Sequence, residues 1–196
     1  MALYYNMAGL LEDHKIGNWE LQHFTIEDGN LRAWRDRISP GTYIRLTHNG
    51  TCVMSDTEME KRTNLEFCCK ANGDVLIGGL GMGMIILAIQ DKPEVKSITV
   101  IEKNQEVIDL VAPQLNFNGK VEIICADVFD WRPDQGVKYD VSYMDIWTGI
   151  NEAIDKKEMQ PLKRKYARFL RSKADNPKRY NGCWAEYEAK TGRRLI

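Results

Sequence analysis

The chain has 196 residues, 43% of them hydrophobic, and a formal net charge of −1, which fits one globular domain and excludes a disordered chain. No apolar stretch reaches the ~20 residues of a membrane span, and the first residues lack a basic leader with a long apolar core, so we expect a cytoplasmic protein without a membrane partner. The five cysteines form no C-x-x-C pair, and the histidines lie far from most of them, so we expect reduced thiols and no metal site.

The charge is divided unevenly along the chain. Residues 1–155 contain 14 Lys and Arg against 24 Asp and Glu, whereas residues 156–196 contain 13 against 4. Such a basic segment binds an anionic partner, for example through Arg164, Lys165 and Arg168, or lies as a helix face against an acidic body. We favour the second interpretation and expect only weak nucleic-acid binding, because aromatic residues are not regularly interleaved with these cations.

The first part of the chain, residues 1–72, is interpreted as a lead-in with a hairpin and a helix. The turn of the hairpin is Asn49-Gly50, since this dipeptide readily adopts the positive φ angles of a two-residue turn. The predicted elements are a strand over 19–27, a helix over 28–38 with Asp28 as N-cap, a hairpin over 42–56, and a helix over 57–71 started by Asp56 or Thr57.

From residue 74 the pattern changes to short apolar strands alternating with helices. The strands are predicted over 74–79, 97–102, 121–127 and 139–145, and the helices over 83–90, 104–115 and 151–172, with Pro161 starting or kinking a segment. This alternation predicts an α/β fold with a doubly wound parallel sheet. We expect a core over 73–150 and a short, helical, basic C-terminal segment over 151–196, within one compact domain.

The stretch "DVLIGGLGMGMII", residues 74–86, places Gly78, Gly79, Gly81 and Gly83 between the first of these strands and a helix. Glycines at this point allow a tight turn and a ligand lying against bare backbone. A P-loop would need Gly-Lys-Ser/Thr, and the dinucleotide fingerprint would need glycine where Met84 stands, so neither a P-loop nor an NAD site is expected. The spacing G-x-G-x-G fits a ligand whose ribose and amino-acid part pass over the loop.

Carboxylates follow the next three strands. Glu102, Asp127 and Asp145 stand at the strand ends, about where an open α/β sheet binds its ligands. Glu102 lies about twenty residues beyond the glycines, where a carboxylate can accept both hydroxyls of a ribose. Asp140, at the other edge of the sheet, is interpreted as structural.

The combination "DVLIGGLGMGM…ITVIEKNQEVIDLV…VEIICADVFDW…YDVSYMDIW" resembles the class I S-adenosylmethionine-dependent methyltransferases, and most of all their spermidine-synthase-like branch. The resemblance covers about residues 42–150. It implies that S-adenosylmethionine, or S-adenosylhomocysteine as product, binds at Gly78, Gly79, Gly81 and Gly83, with its ribose on Glu102 and its adenine at Asp127 and Val128. It also implies that Asp145 lies beside the sulfonium and the incoming nucleophile.

The function expected from these residues is methyl transfer to an unidentified small-molecule acceptor. Asp145 is the candidate base or orienting group, and Trp147 could stack on a planar substrate or shield a cation. Aminopropyl transfer is the second interpretation, but Thr148 stands where the resembling synthases have an aspartate for the diamine. A cofactor-binding protein without catalysis, a nucleic-acid adaptor and a homodimer stay open.

Overall fold

Two β-sheets form the frame of the protein, for which a computed structural model describes residues 4–195. The antiparallel sheet has the order β1-β2-β3-β4 and the parallel sheet the order β7-β6-β5-β8-β9. The antiparallel strands are β1 His14–Ile16, β2 Trp19–Ile26, β3 Gly41–His48 and β4 Thr51–Ser55. The parallel strands are β5 Gly73–Gly78, β6 Val95–Glu102, β7 Val121–Cys125, β8 Val141–Met144 and β9 Tyr180–Cys183.

Helices connect β5 to β6, β6 to β7 and β8 to β9, as the alternating pattern predicted, whereas an irregular segment joins β7 to β8. The helices are α1 Leu31–Arg35, α2 Glu58–Lys70, α3 Met84–Gln90, α4 Gln105–Val111, α5 Glu152–Ile154, α6 Gln160–Ala167 and α7 Glu186–Thr191. Short 3-10 turns cover Met7–Gly9 and Ala112–Gln114. The predicted doubly wound parallel α/β sheet is confirmed, because the chain runs outward from β5 to β7 and then returns to place β8 beside β5.

The hairpin before the core is also confirmed. Asn49 and Gly50 connect β3 to β4 with φ angles of 51° and 75°, the positive values that this turn requires. The N-cap prediction for α1 was wrong, since the side chain of Asn30 and not that of Asp28 accepts the Ala33 amide hydrogen bond. Strand β1 had no counterpart among the sequence predictions.

The C-terminal segment is only partly helical. Tyr180–Cys183 forms β9, which pairs in parallel with β8 and completes one edge of the sheet. A four-residue strand containing a glycine has too little hydrophobic alternation to be recognised from the sequence, and its pairing with β8 decides its conformation.

Pro161 changes the geometry of the predicted helix over 151–172. The helix divides into α5, a π-helical turn Asp155–Met159, and α6, with Pro161 in the first turn of α6. Because proline has no N–H to donate to the preceding turn, the backbone widens there, and the Gln160 amide donates to the Asp155 carbonyl.

The core lies on both faces of the parallel sheet. The central strand β5 is buried, with Val75, Leu76 and Ile77 fully inaccessible, and six of the seven residues of α3 are buried. This burial explains why β5, β6 and β8 read as nearly continuous apolar runs.

The amino ends of β5 and β8 are joined by an ion-pair cluster. Asp140 accepts hydrogen bonds from the Asp74 amide at 2.8 Å, the Arg171 guanidinium at 2.5 Å and the Asn176 amide at 2.7 Å. Arg171 also pairs with Asp74 at 2.7 Å. The structural interpretation of Asp140 is therefore confirmed, and Arg171 ties the basic C-terminal segment to acidic residues of the core.

Candidate functional site

A cavity of about 300 Å³ opens at the carboxyl ends of β5, β6 and β8. This edge is where the chain direction of a doubly wound sheet reverses, and open α/β sheets bind ligands there. Seven of the nine site residues predicted from the sequence line the cavity: Gly79, Gly81, Glu102, Asp127, Val128, Asp145 and Trp147. Gly78 lies buried at the end of β5 and Gly83 at the start of α3, and neither is part of the lining.

The glycine loop is held close to its neighbours on both sides. Gly79, with φ 97°, donates its amide to the Ile101 carbonyl, and a Cβ on this residue would stand 2.1 Å from the Asp145 carbonyl oxygen. A Cβ on Gly81 would stand 2.4 Å from the sulfur of Met54. The loop therefore needs glycine because strand ends and the hairpin crowd it, and the bare backbone also borders the cavity.

Glu102, at the end of β6, is 7% exposed and ties the loop to the next helix. Its Oε2 accepts the Leu80 amide at 2.9 Å, and its Oε1 accepts the backbone and side-chain N–H groups of Asn104 at 2.8 and 3.0 Å. Oε1 thus already accepts two hydrogen bonds, whereas Oε2 accepts one and keeps a lone pair to which a ligand hydroxyl in the cavity can donate.

The loop after β7 brings Asp127 and Val128 to the cavity. Asp127 pairs with Lys103 at 2.8 Å and accepts the Phe129 amide, and the Lys103 hydrogen bond is the main reason why the pKa of Asp127 is lowered. Val128 is 4% exposed, and its carbonyl accepts hydrogen bonds from the Lys165 amine at 2.9 Å and the Tyr166 hydroxyl at 2.7 Å. Residues of α6 thus hold the position of this loop.

Asp145 follows β8 directly and lies beside the glycine loop. Its amide donates to the Gly78 carbonyl at 2.8 Å, which fixes its backbone against β5. The surrounding protein displaces water from the side chain, and this desolvation raises the pKa of Asp145 to about 7, although hydrogen bonding with Asn64 opposes the shift. A carboxyl group that titrates near neutral pH is suited to accept and release protons.

Trp147 forms the wall beyond Asp145. The indole is 9% exposed, and its Nε1 donates to Glu158 Oε2 at 2.8 Å. Trp184, which follows β9, lines the same part of the cavity and donates to Thr63 Oγ1 at 2.9 Å. Both indole N–H groups are therefore satisfied, and the rings are held in place around the cavity.

Glu60 is a cavity residue that the sequence interpretation missed. It lies in the first turn of α2, is 5% exposed and borders the cavity with Asp145. Burial and the nearby Asp145 charge raise the pKa of Glu60 to about 8, and a hydrogen bond from the Ser55 backbone opposes the shift.

Helix α2 is fixed against β8 by a second set of contacts. Phe67 stacks on Tyr143 with 4.2 Å between ring centroids, and the Tyr143 hydroxyl donates to Asn64 Oδ1 at 2.8 Å. A usable signal was present in the sequence: Glu60, Asn64 and Phe67 follow the i, i+4, i+7 spacing of one helix face, so a carboxylate lies on the buried side.

The antiparallel sheet closes the cavity from the opposite side. Trp19, Leu46, Val53 and Met54 from β2, β3 and β4 contribute to the lining. The Met82 amide donates to the Met54 sulfur at 3.2 Å, which joins the hairpin to the glycine loop. The lead-in is thus part of the site and supplies its apolar cover.

The lining has a strongly acidic composition. It contains five carboxyl residues and one lysine: Glu60, Glu102, Asp127, Asp145, Glu158 and Lys103. Since Lys103 is already paired with Asp127, this arrangement repels phosphates and favours a ligand with a positive charge.

All five cysteines are unbridged in the structure. Within residues 4–195, no three or more His, Cys, Asp or Glu residues are arranged to hold a metal ion. None of the helices in this range has the length and apolar character needed to cross a membrane.

No protein-family model and no curated protein sequence matches the chain. Solved structures with a similar backbone include plantazolicin methyltransferase BpumL with S-adenosylhomocysteine (24% identity, TM-score 0.40, covering 56% of this chain and 39% of that one). N-methyltransferase NodS from Bradyrhizobium japonicum WM9 with the same compound gives 13% identity and TM-score 0.46, covering 59% of each chain. The N-terminal domain of EvdMO1 with S-adenosylhomocysteine bound gives 18% identity and a TM-score of 0.43, covering 58% of this chain and 46% of that one.

The chain spans about two fifths of the length of BpumL and about three fifths of that of NodS. Since identity and TM-score are both low, neither activity nor substrate is transferred from these proteins to this chain.

Proposed function

We propose that the chain is an S-adenosylmethionine-dependent methyltransferase that acts on a small-molecule acceptor. The observation that supports this most is the single cavity shared by the glycine loop, Glu102 and Asp145 at the ends of adjacent strands. In this proposal Glu102 binds a ribose of the ligand. A phosphate is disfavoured, because among the described residues Lys103 is the one lysine of the lining and it is already paired with Asp127.

The described residues fit this cofactor in charge as well as in shape. A sulfonium nucleoside that carries an amino acid has positive charges and no phosphate, and the lining is rich in carboxylates. In this proposal Gly78, Gly79, Gly81 and Gly83 form the turn under the cofactor, Glu102 binds the ribose through Oε2, and Asp127 and Val128 border the adenine. Bound S-adenosylmethionine would supply an activated methyl group on sulfur.

The protein contributes alignment and proton handling. Asp145 would hold the acceptor beside the methyl group and take up its proton, and Trp147 would form the wall against which the acceptor lies. The core over 73–150 would then bind the cofactor, whereas 1–72 and 151–196 would complete the acceptor side with Glu60, Trp19 and Trp184.

Aminopropyl transfer, the reaction of the spermidine-synthase-like branch, is the second candidate. The acidic lining favours it, since a diamine carries two positive charges. Thr148 speaks against it: this residue is exposed and lies outside the lining, so it offers no carboxylate for a second ammonium group.

The proposed function is tested by binding and by product identity. Calorimetry with S-adenosylmethionine, its decarboxylated form and S-adenosylhomocysteine should show saturable binding of the first and third. Incubation with a metabolite mixture should then yield S-adenosylhomocysteine, whereas methylthioadenosine would indicate aminopropyl transfer.

Asp145→Asn is expected to retain cofactor binding and to lose roughly 10²–10⁴-fold in turnover, the contribution of a general base. Asp134→Asn, at an exposed position outside the cavity, is the matched control. Absence of binding by all three nucleosides would overturn the proposed function, and binding without turnover of any acceptor would indicate a cofactor-binding protein.

A further inference from the structure

The acceptor end of the cavity contains two carboxyl groups that no cation of the described residues neutralises. Glu60, which is 5% exposed, and Asp145 line the same cavity, and the charge of Asp145 raises the pKa of Glu60. None of the ion pairs formed within residues 4–195 includes either residue. Buried carboxylates elsewhere in proteins are paired with cations or coordinate metals, so a pair left open toward a cavity indicates a positively charged ligand.

The remaining charges of the lining leave this end without a cation of its own. Lys103 stands near the opposite end and is paired with Asp127 at 2.8 Å. Glu158, which borders the acceptor end, accepts the Trp147 indole hydrogen bond and adds a further negative charge. An anionic acceptor would therefore be repelled, and a neutral alcohol would leave both carboxyl groups uncompensated when they are ionised.

The walls around the pair are apolar and aromatic. Trp147 and Trp184 are 9% and 4% exposed, and the antiparallel sheet adds Leu46 and Met54. Aromatic rings stabilise ammonium groups and also bind flat apolar bodies. The shape and chemistry of this end suit a molecule with one amine attached to an apolar or aromatic body.

We propose that the acceptor is such a monoamine, bound as its ammonium ion between Glu60 and Asp145, and that this carboxyl pair removes its proton before transfer. The proposal rests on the proposed function and specifies its substrate class. In the reaction, one carboxylate accepts a proton from the ammonium group, and the freed nitrogen lone pair forms the new N–C bond. The methyl carbon–sulfur bond breaks with its electron pair left on sulfur, and the proton leaves the carboxyl group to solvent.

The titration of the pair supports this assignment. With pKa values raised to about 8 and about 7, Glu60 and Asp145 are largely protonated slightly below neutral pH. A bound ammonium ion stabilises the ionised forms, so amine binding should release protons. The other titratable groups near the pair or along the cavity include Cys52 on β4, Cys68 on α2, Tyr143 on β8, Cys183 on β9, Glu158 on the π-helical turn, and Glu102, Lys103 and Asp127 at the cofactor end.

The experiment measures the binding of three matched probes to the protein saturated with S-adenosylhomocysteine. The probes are benzylamine, benzyl alcohol and benzoate, which share one ring and differ in charge. We expect benzylamine to bind at least tenfold more tightly than the other two. Calorimetry at pH 7 in two buffers of different ionisation enthalpy should show proton release for benzylamine alone.

The variants Glu60→Gln and Asp145→Asn should each weaken benzylamine binding at least tenfold while keeping S-adenosylhomocysteine binding. Glu66→Gln, an exposed glutamate on the same helix, is the matched control and should bind benzylamine like the unmodified protein. Preference for benzoate or benzyl alcohol, no benzylamine binding, or unchanged benzylamine binding in both cavity variants would overturn the amine proposal. Failure of S-adenosylhomocysteine to bind the unmodified protein would instead overturn the proposed function, so the two failures are distinguishable.

Discussion

The two ends of the parallel sheet each hold a cluster of carboxyl groups, and the clusters differ in their counterions. At the amino ends of β5 and β8, Asp74 and Asp140 are paired with Arg171. At the carboxyl end, Glu60 and Asp145 border a cavity, and neither forms an ion pair with another residue of the range 4–195. The first cluster joins the C-terminal segment to the core. Ionisation of the second cluster destabilises the protein, and a positively charged ligand would offset this cost.

The largest expected effect concerns the pH dependence of the unpaired cluster. Glu60 and Asp145 have pKa values raised from 4.5 and 3.8 to about 8 and about 7, so their contribution to stability is complete in acid and is lost as the pH rises through these values. We expect the free energy of unfolding of the ligand-free protein to fall by up to about 7 kcal/mol between pH 5 and pH 9, because the two pKa values lie about 3 and about 2 units above pH 5 and each unit corresponds to about 1.4 kcal/mol. Urea unfolding at each pH measures it.

Glu60→Gln should flatten this pH dependence, because a glutamine cannot ionise, and Glu66→Gln should leave it unchanged. If neither Glu60→Gln nor Asp145→Asn reduced the slope of unfolding free energy against pH, Glu60 and Asp145 would not be the groups that cause the pH dependence.

Loss of a carboxylate from the paired cluster should lower the free energy of unfolding. Asp140→Ala removes the partner of Arg171 and Asn176, and we expect a loss of about 2–3 kcal/mol in the free energy of unfolding, less than for a fully buried pair because the Arg171 side chain is 35% exposed. Chemical denaturation checks this, with exposed Asp134→Ala as control. Weaker S-adenosylhomocysteine binding by the folded variant would contradict a purely structural role.

Glu102 also borders the cavity, and three N–H groups of the protein already donate to its carboxylate. Glu102→Ala should weaken S-adenosylhomocysteine binding by about 1.5–3 kcal/mol, the range for a hydrogen bond to a charged group. Calorimetry measures the loss, and Glu122→Ala, at an exposed position of the neighbouring strand β7, should show none. Unchanged affinity would exclude Glu102 as the ribose ligand.

The smallest expected effect concerns the support of the loop beside Val128. Tyr166→Phe removes hydrogen bonds from the hydroxyl to the Val128 and Trp131 carbonyls, at 2.7 and 3.2 Å. We expect a loss of about 1 kcal/mol in stability and a similar weakening of nucleoside binding, since the loop borders the cofactor end. Thermal unfolding with and without S-adenosylhomocysteine separates the loss of stability from the weakening of nucleoside binding. An equal drop in the unfolding temperature of the free and the bound protein would mean that the loop does not contribute to binding.

The strand–helix alternation after residue 74 was sufficient to predict the doubly wound sheet, because the hydrophobic pattern of a buried parallel strand is local. The same holds for the Asn49-Gly50 turn and for the placement of Gly79, Glu102 and Asp145 at strand ends. Carboxyl ends of parallel strands meet at one edge, so sequence position there carries spatial information.

The amino-acid sequence by itself thus determined the class of fold and the position of Gly79, Glu102 and Asp145 at one edge of the sheet. Only the tertiary structure decided which other residues line the cavity: Glu60 comes from a helix outside the α/β core, Trp184 follows β9, and Trp19 belongs to the antiparallel sheet. These residues are far apart along the chain, and no local pattern relates them. Their proximity depends on long-range packing, through the stacking of Phe67 on Tyr143 and the pairing of β9 with β8, which local propensity does not encode.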